Sequence, residues 1–218
     1  MEKTLLDANV VVVANGFNVP LFSQLWLAGK GIFTEDELTK SSPCFTPTFV
    51  QVDTPDCTLT VQSNRMQLKI KKQGSGVIAK IQRIIELLPE CPYTGIGFNF
   101  SWGVTSFSKD ISAVSKKNFL PSAANNPWHA EFKKDHSVTV GAIYRKCFQD
   151  SIMHLEIRPQ TISIGVGEEH ADKDSMIFSF NFHHGINHTL SNDEFNQIFN
   201  SWEEKYNESE RISDLLVE

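Results

Sequence analysis

The chain has 218 residues, a formal net charge of −6, 40% hydrophobic residues and 11% aromatic residues, a composition typical of a globular core. The acidic balance disfavours a general nucleic-acid-binding protein, because such proteins neutralise phosphates with clustered Lys and Arg. No apolar run reaches the roughly 18 residues of a membrane-spanning helix, and the first residues lack a signal-peptide core. We therefore expect a cytoplasmic protein without a membrane or nucleic-acid partner.

The first predicted elements are a strand and two short helices. Residues 8–14 are apolar except for Asn9, which predicts a strand buried on both faces. Asn18 and Pro20 favour the start of a short helix. Its expected apolar face consists of Leu21, Phe22, Leu25 and Trp26. Thr34 and Glu37 have the spacing of a capping box, which predicts the second helix.

The clearest pattern lies between residues 49 and 102. Phe49–Val52, Thr58–Val61 and Met66–Ile70 alternate apolar and polar side chains, as half-buried strands do. Apolar residues from Val77 to Leu88 recur at helical spacing. Tyr93–Trp102 then places Ile, Phe and Trp on one face, which predicts a central strand covered by the preceding helix.

Periodicity weakens after residue 105. Residues 106–132 contain Trp128 and His129 but no clean period, so we predict a loop or insertion there. Ser137–Phe148 predicts a strand, and residues 152–157 and 161–166 predict a hairpin that turns at Arg158-Pro159-Gln160.

The last part of the chain predicts an acidic loop, a strand and a helix. Residues 167–174 are polar and acidic, and Met176–Phe182 alternates Met and Phe with polar residues. Ser191 and Glu194 form a second capping box before a helical apolar stripe. These elements predict one α+β domain, with a mainly antiparallel sheet or sheets and helices on one face. Its halves would be residues 1–105 and 133–218.

Part of the pattern resembles a known family. Val61–Lys69, the helix after it and Tyr93–Phe100 are similar to the middle of an uncharacterised, sporadically distributed bacterial family, in which a strand with a central Arg precedes a helix and a Gly-containing strand. The strand and helix of Phe178–Leu216 are similar as well. The resemblance covers about two-thirds of the chain, contains no catalytic motif, and implies a fold without an activity.

Four cysteines are widely spaced, and no two form a Cys-x-x-Cys pair. They are Cys44, Cys57, Cys91 and Cys147. This pattern is typical of buried, reduced thiols in a cytosolic protein. A zinc site made of all four lacks the usual ligand spacing.

Three histidines within six residues are the best metal-ligand candidates. The candidate ligand set is His184, His188 and His170, with carboxylates of residues 168–172 as further ligands. His183 and His184 are adjacent on a strand and should point to opposite faces. The alternative is that these histidines are exposed side chains at a turn. No other cofactor site is predicted.

Three functions follow from these observations. No nucleophile elbow, phosphate loop or dinucleotide fingerprint is present, and strands with aromatic faces often serve association. We therefore predict a non-enzymatic binding or assembly protein that contacts a protein partner or a second copy. One alternative is a metal-dependent hydrolase that uses the His183–His188 cluster. Another is a small-molecule binder whose apolar pocket is lined by Phe98, Phe100, Phe178 and Phe180.

Overall fold

A computed structural model describes residues 2–72, 75–105, 110–120, 127–133, 135, 137–166 and 169–215. Within these ranges, the side chains of residues 75, 127, 128, 130, 162–166 and 169–172 are not described. Glu168 and the side chains of Trp128 and His170 therefore lie outside the described part of the structure.

Nine strands among the described residues form the body of the protein. They are β1 (Glu2–Ala14), β2 (Cys44–Phe45), β3 (Val50–Asp53), β4 (Cys57–Val61), β5 (Arg65–Ile70), β6 (Tyr93–Thr105), β7 (Ala142–Cys147), β8 (Ile152–Val166) and β9 (Glu169–Gly185). The strands join in one sheet of order β2-β3-β4-β5-β1-β6-β9-β8-β7. All described pairings are antiparallel. The predicted α+β class with a mainly antiparallel sheet is thus confirmed.

Seven α-helices and a 3-10 turn (Val19–Leu21) lie within the described residues, and the last two helices follow the final strand. The helices are α1 (Gln24–Gly29), α2 (Glu35–Lys40), α3 (Ser75–Leu87), α4 (Ile111–Phe119), α5 (Pro127–Phe132), α6 (Asn192–Asn200) and α7 (Trp202–Asp214). The predicted capping boxes begin α2 and α6, where the Thr34 and Ser191 side chains accept from the backbone of Glu37 and Glu194. Each cap satisfies donors that the first helical turn leaves free.

The core lies between one face of the sheet and a layer of helices, which we call the covered face. Strand β6 contributes Phe98, Phe100 and Trp102, which pair across the sheet with Phe182, Phe180 and Phe178 of β9. All six are nearly inaccessible to solvent. Helix α7 packs its rings on this row, with the Phe100 and Trp202 centroids 4.6 Å apart. Such ring pairs contribute about 0.5–1.5 kcal/mol beyond burial.

The opposite face of the sheet carries polar residues, and we call it the open face. In β1, Val10 and Val12 are fully buried, whereas Val13 on the alternate side is 38% exposed. The prediction that this strand is buried on both faces is therefore wrong. The error arises because valines also occur on solvated strand faces, where their β-branched shape suits the pleat.

Two further predictions differ from the structure in the first half and the middle of the chain. Leu25 was expected on the apolar face of the first helix, but it is 83% exposed on α1. Residues 106–132 were expected to form a loop, but α4 and α5 lie within them. The α4 sequence has Ser and Lys at many positions, so its apolar stripe is too narrow to give a clear helical period.

The predicted hairpin at Pro159 is a single strand in the structure. Strand β8 runs through Pro159, which pairs with Met176 of β9. On the other side, β7 pairs with β8 only as far as Ile157. At Pro159, β8 is therefore no longer paired with β7 and is an edge of the sheet. An edge position tolerates a residue without an N–H donor. The expected acidic loop is likewise replaced over residues 169–174 by the start of β9.

Candidate functional site

The histidine cluster is divided among three environments. His183 lies on the open face and is exposed, while His184 is only 2% exposed in the core, so the predicted opposition of the two side chains is confirmed. His188 follows β9, and its Nε2 lies 3.2 Å from Glu194 Oε1 at the surface. Among the described side chains there is no group of three or more His, Cys, Asp or Glu placed to hold a metal ion. A site that includes His170 stays a prediction.

His184 is a neutral core histidine. Its Nδ1 lies 3.0 Å from the backbone oxygen of Asp150, which fixes Nδ1 as the protonated nitrogen. Its ring packs 5.2 Å from the Phe98 ring, and Nε2 is buried without a hydrogen-bond partner among the described groups. Burial lowers the pKa of His184 despite the nearby Asp150 carboxylate. The imidazole therefore stays uncharged at neutral pH.

Asp150 connects the β7–β8 turn to helix α7. The ammonium of Lys205, itself 2% exposed, donates to Asp150 Oδ1 at 3.2 Å. Partial burial acts to raise the pKa of Asp150, but the Lys205 hydrogen bond and charge outweigh it and the pKa is lowered. Lys205 Nζ also lies 4.6 Å from the centre of the Phe148 ring. These contacts attach the turn, and with it β7, to the helix layer.

The surface beside His188 includes a cysteine and a tyrosine with raised pKa values. A depression of about 370 Å³ is lined by His188, Cys91 and Tyr93. Burial raises the pKa of both the Cys91 thiol and the Tyr93 hydroxyl. A thiol attacks only as the thiolate, so the raised pKa disfavours Cys91 as a nucleophile.

The cysteines do not form a common site. Cys44 lies on β2 and Cys147 on β7, at opposite edges of the nine-stranded sheet. Neighbouring strands are about 4.8 Å apart, so no single zinc ion contacts both. Cys44 and Cys147 are exposed and Cys57 is buried, which corrects the expectation that all four thiols are buried.

A cavity between the sheet and the helices reaches one of the four phenylalanines predicted to line a pocket. Phe98 is packed within the core, whereas Phe178 lines a cavity of about 430 Å³. Phe100 and Phe180 are also buried, and they border a separate depression of about 460 Å³. Strands β7 and β8 and helices α4 and α7 supply its other walls. The described lining residues are Asn118, Phe119, Tyr144, Arg145, Lys146, Met153, Leu155, Ile157, Phe178, Ile212 and Leu215.

Beside this cavity, β7 forms an exposed edge of the sheet. Ile143 is 81% exposed and Tyr144 is 49% exposed, the first on the open face and the second on the covered face. Lys146 Nζ lies 3.0 Å from Glu208 Oε1 of α7. The edge is thus attached to the helix layer while its two largest apolar side chains lie in solvent.

On the open face, three asparagines in register form a hydrogen-bonded row. Asn181 Nδ2 donates to Asn99 Oδ1 at 2.5 Å, and Asn99 Nδ2 donates to Asn9 Oδ1 at 2.9 Å. Asn9 Nδ2 then donates to Asp7, whose other oxygen is 3.0 Å from Lys69 Nζ. We call Asn9, Asn99 and Asn181 the asparagine row.

Sequence reasoning missed both the edge and the row for the same reason. Each depends on which strands are neighbours, and strand order is a property of tertiary structure. The sequence does indicate which face the row occupies. Asn9, Asn99 and Asn181 each lie at the alternate, outward-pointing positions of a strand that is otherwise rich in apolar residues. This pattern does not give their register.

The fold and the sites define an α+β protein with a nine-stranded antiparallel sheet covered on one face by helices. No protein-family model matches the chain, and no curated protein matches it. None of the described helices is long and apolar enough to cross a membrane.

Proposed function

We propose that the chain is a non-enzymatic assembly protein that forms a homodimer by pairing β7 with β7 of a second copy. The observation that carries this proposal is the exposure of Ile143 and Tyr144 on a six-residue edge strand. Exposed edges present unpaired backbone N–H and C=O groups, which template pairing with another strand.

The two edges of the sheet differ in how well they are protected. At the far edge, β2 has only two residues and lies between Pro43 and Pro47. Short edge strands and prolines are common protection against edge pairing. Strand β7 has neither feature, and its protection consists of the charged side chains Arg145 and Lys146.

One antiparallel register of β7 with a second β7 fits these charges. A two-fold axis at Tyr144 places the two Tyr144 side chains opposite each other and Ile143 opposite the partner's Arg145. Aromatic pairs stabilise such contacts by roughly 0.2–1 kcal/mol. An axis at Arg145 would instead oppose two like charges, which is destabilising. The self-complementary register is the isologous contact expected of a two-fold dimer.

The expected dimer is weak. Full burial of one large apolar side chain contributes about 1.5–3 kcal/mol, and the dimer buries Ile143 and Tyr144 from each copy. Association itself costs an estimated 4–15 kcal/mol. The two terms are similar in size, so we expect a dimer that dissociates on dilution.

Sedimentation velocity over a wide concentration range tests the proposal, with Ile143→Lys as the disrupting variant. Leu25→Lys is a matched control, because Leu25 is 83% exposed and Ile143 is 81% exposed. The wild type and Leu25→Lys should shift from monomer to dimer as concentration rises, and Ile143→Lys should stay monomeric. A wild type that is monomeric throughout, or two variants that behave alike, would contradict the proposal.

A further inference from the structure

A cleft between helix α3 and the helices α6 and α7 reaches the covered face of β1. We propose that it binds a small organic cation, with the apolar body of the ligand over Ala8 and its ammonium group beside the aromatic rings and the carboxylate of α7. Strands β6, β9 and β8 separate β1 from β7 in the sheet, so this site is independent of the proposed homodimer contact.

The small side chain of Ala8 accounts for the cleft. Ala8 lies on the covered face of β1 and pairs across the sheet with Phe100 of β6. The Phe100 ring is covered by Trp202 of α7, whereas Ile78 of α3 contributes to the opposite wall. The methyl group of Ala8 does not fill the space between the helices, which leaves a cleft of about 470 Å³. Small-molecule sites typically have roughly 300–1,000 Å³, and an apolar group in this cleft is removed from water.

One wall of the cleft is aromatic. Trp202 and Tyr206 are one turn apart on α7, both line the cleft, and both are only partly buried. The core holds the two rings in place, because their centroids lie 4.6 Å and 5.6 Å from that of the Phe100 ring. Aromatic rings attract an ammonium group electrostatically, Trp most strongly, and the attraction increases where water is displaced.

The charge of the cleft is negative. Glu203 is the one charged side chain among the described residues that line it. The other polar lining residues are the uncharged amides Gln82, Asn200 and Asn207. An anionic ligand would meet a like charge at Glu203, and a neutral ligand would leave that carboxylate to water. Charge complementarity therefore selects a cation.

The neighbouring cations of α3 do not neutralise Glu203, because each is paired with another acid. Lys80 Nζ lies 3.0 Å from Glu37 Oε1, and an Arg83 guanidinium nitrogen lies 3.2 Å from Glu86 Oε2. Among the described groups, none forms an ion pair or a side-chain hydrogen bond with Glu203. Its carboxylate is thus available to an ammonium ligand.

The test is a titration of the isotope-labelled protein with phenethylammonium, followed by the nuclear magnetic resonance shifts of backbone amides. Phenethyl alcohol, in which a hydroxyl replaces the ammonium group, is the matched neutral ligand. We expect phenethylammonium to shift the amides around Ala8 and Trp202 and to bind about fivefold or more tightly than the alcohol. Glu203→Gln should weaken phenethylammonium about threefold or more, the scale of an exposed ion pair, and leave the alcohol unchanged.

Glu204→Gln is the matched charge control. It makes the same change at the next residue of α7, whose carboxylate lies 3.2 Å from Lys205 and does not line the cleft, and it should leave phenethylammonium binding unchanged. Glu203 and Glu204 are both exposed, so circular dichroism should show an intact fold in each variant.

Ala8→Leu tests the location, because the added methyl groups enter the floor of the cleft and should weaken both ligands. Four results would overturn the proposal. They are no shifts of the cleft amides, equal affinities for the ammonium and the alcohol, equal effects of the two Glu→Gln substitutions, and unchanged binding of both ligands to a folded Ala8→Leu variant. If Ala8→Leu does not fold, the two Glu→Gln variants still decide the outcome.

Discussion

The two faces of the sheet share one backbone, but the covered face carries apolar side chains and the open face carries polar ones. On β6, Asn99 and Phe100 are consecutive residues that point to opposite faces. Phe100 is 1% exposed and lies against Trp202 and Tyr206 of α7. Asn99 is partly exposed and lies between Asn9 and Asn181 in the asparagine row.

The difference shows what each face contributes to stability. The free energy gained by burying apolar side chains on the covered face is roughly proportional to the apolar surface that is removed from water. The hydrogen bonds of the open face replace bonds to water, so each contributes only about 0.5–1.5 kcal/mol. They are directional, however, and they hold only when Asn9, Asn99 and Asn181 lie in register. We infer that the covered face supplies most of the free energy and that the row favours one strand alignment.

We expect the largest loss of stability from a substitution on the covered face. Phe100→Ala removes a ring that contacts Phe182, Trp202 and Tyr206. We expect a loss of about 3–5 kcal/mol in the free energy of unfolding, the usual range for a buried Phe→Ala change. Urea denaturation followed by Trp fluorescence measures it. A loss below about 1.5 kcal/mol would show that α7 is not packed on β6 as described.

A smaller effect is expected on the open face. Asn99→Ala removes the middle of the asparagine row, leaving the Asn181 donor and the Asn9 acceptor without their partner. We expect a loss of about 1–2 kcal/mol by urea denaturation, because Asn9 is 6% exposed and water reaches it poorly. Gln51→Ala, at an exposed position on the same face, should change stability by less than about 0.5 kcal/mol. Equal losses in the two variants would mean that the row contributes nothing specific.

The covered face was predictable from sequence to a large extent. Alternation in β4, β5, β6 and β9 and the stripe of α3 follow directly from which residues are apolar. The capping boxes of α2 and α6 were also predictable, because Thr34 and Ser191 satisfy donors within their own helices. These features depend on local chemistry alone.

The open face and the β7 edge could not be predicted in the same way. The role of Pro159 depends on where β7 ends beside β8, and the role of Asn99 depends on the register of β1, β6 and β9. Both are contacts between residues far apart in the chain. A single sequence carries no direct signal for such pairings, so Pro159 gave the local signal of a turn.

The smallest expected stability effect is a pH dependence, and it again distinguishes the two faces. On β9, His183 lies on the open face and His184 on the covered face. Burial lowers the pKa of His184 in the folded protein, whereas an unfolded histidine has a pKa of about 6.5. As pH falls below that value, the unfolded chain binds a proton that folded His184 does not. Stability should therefore decrease by at most about 1.4 kcal/mol per pH unit.

Urea denaturation at pH 7.5 and 5.5 tests this sign and its source. His184→Gln retains a side-chain donor for the Asp150 carbonyl and removes the titrating group, so its stability should depend less on pH than that of the wild type. His183→Gln is the matched control, because it makes the same substitution at the neighbouring residue on the opposite face and leaves the buried His184 ring in place, so it should retain the wild-type dependence. Asp150 has a lowered pKa, which places its titration below this pH window. For each protein, the comparison uses the difference in the free energy of unfolding between the two pH values. A loss of stability from repacking beside Phe98 that is the same at both pH values therefore cancels. If His184→Gln kept the full dependence, the proton would bind elsewhere, and His184 would not be the buried neutral group that distinguishes the covered face from the open one.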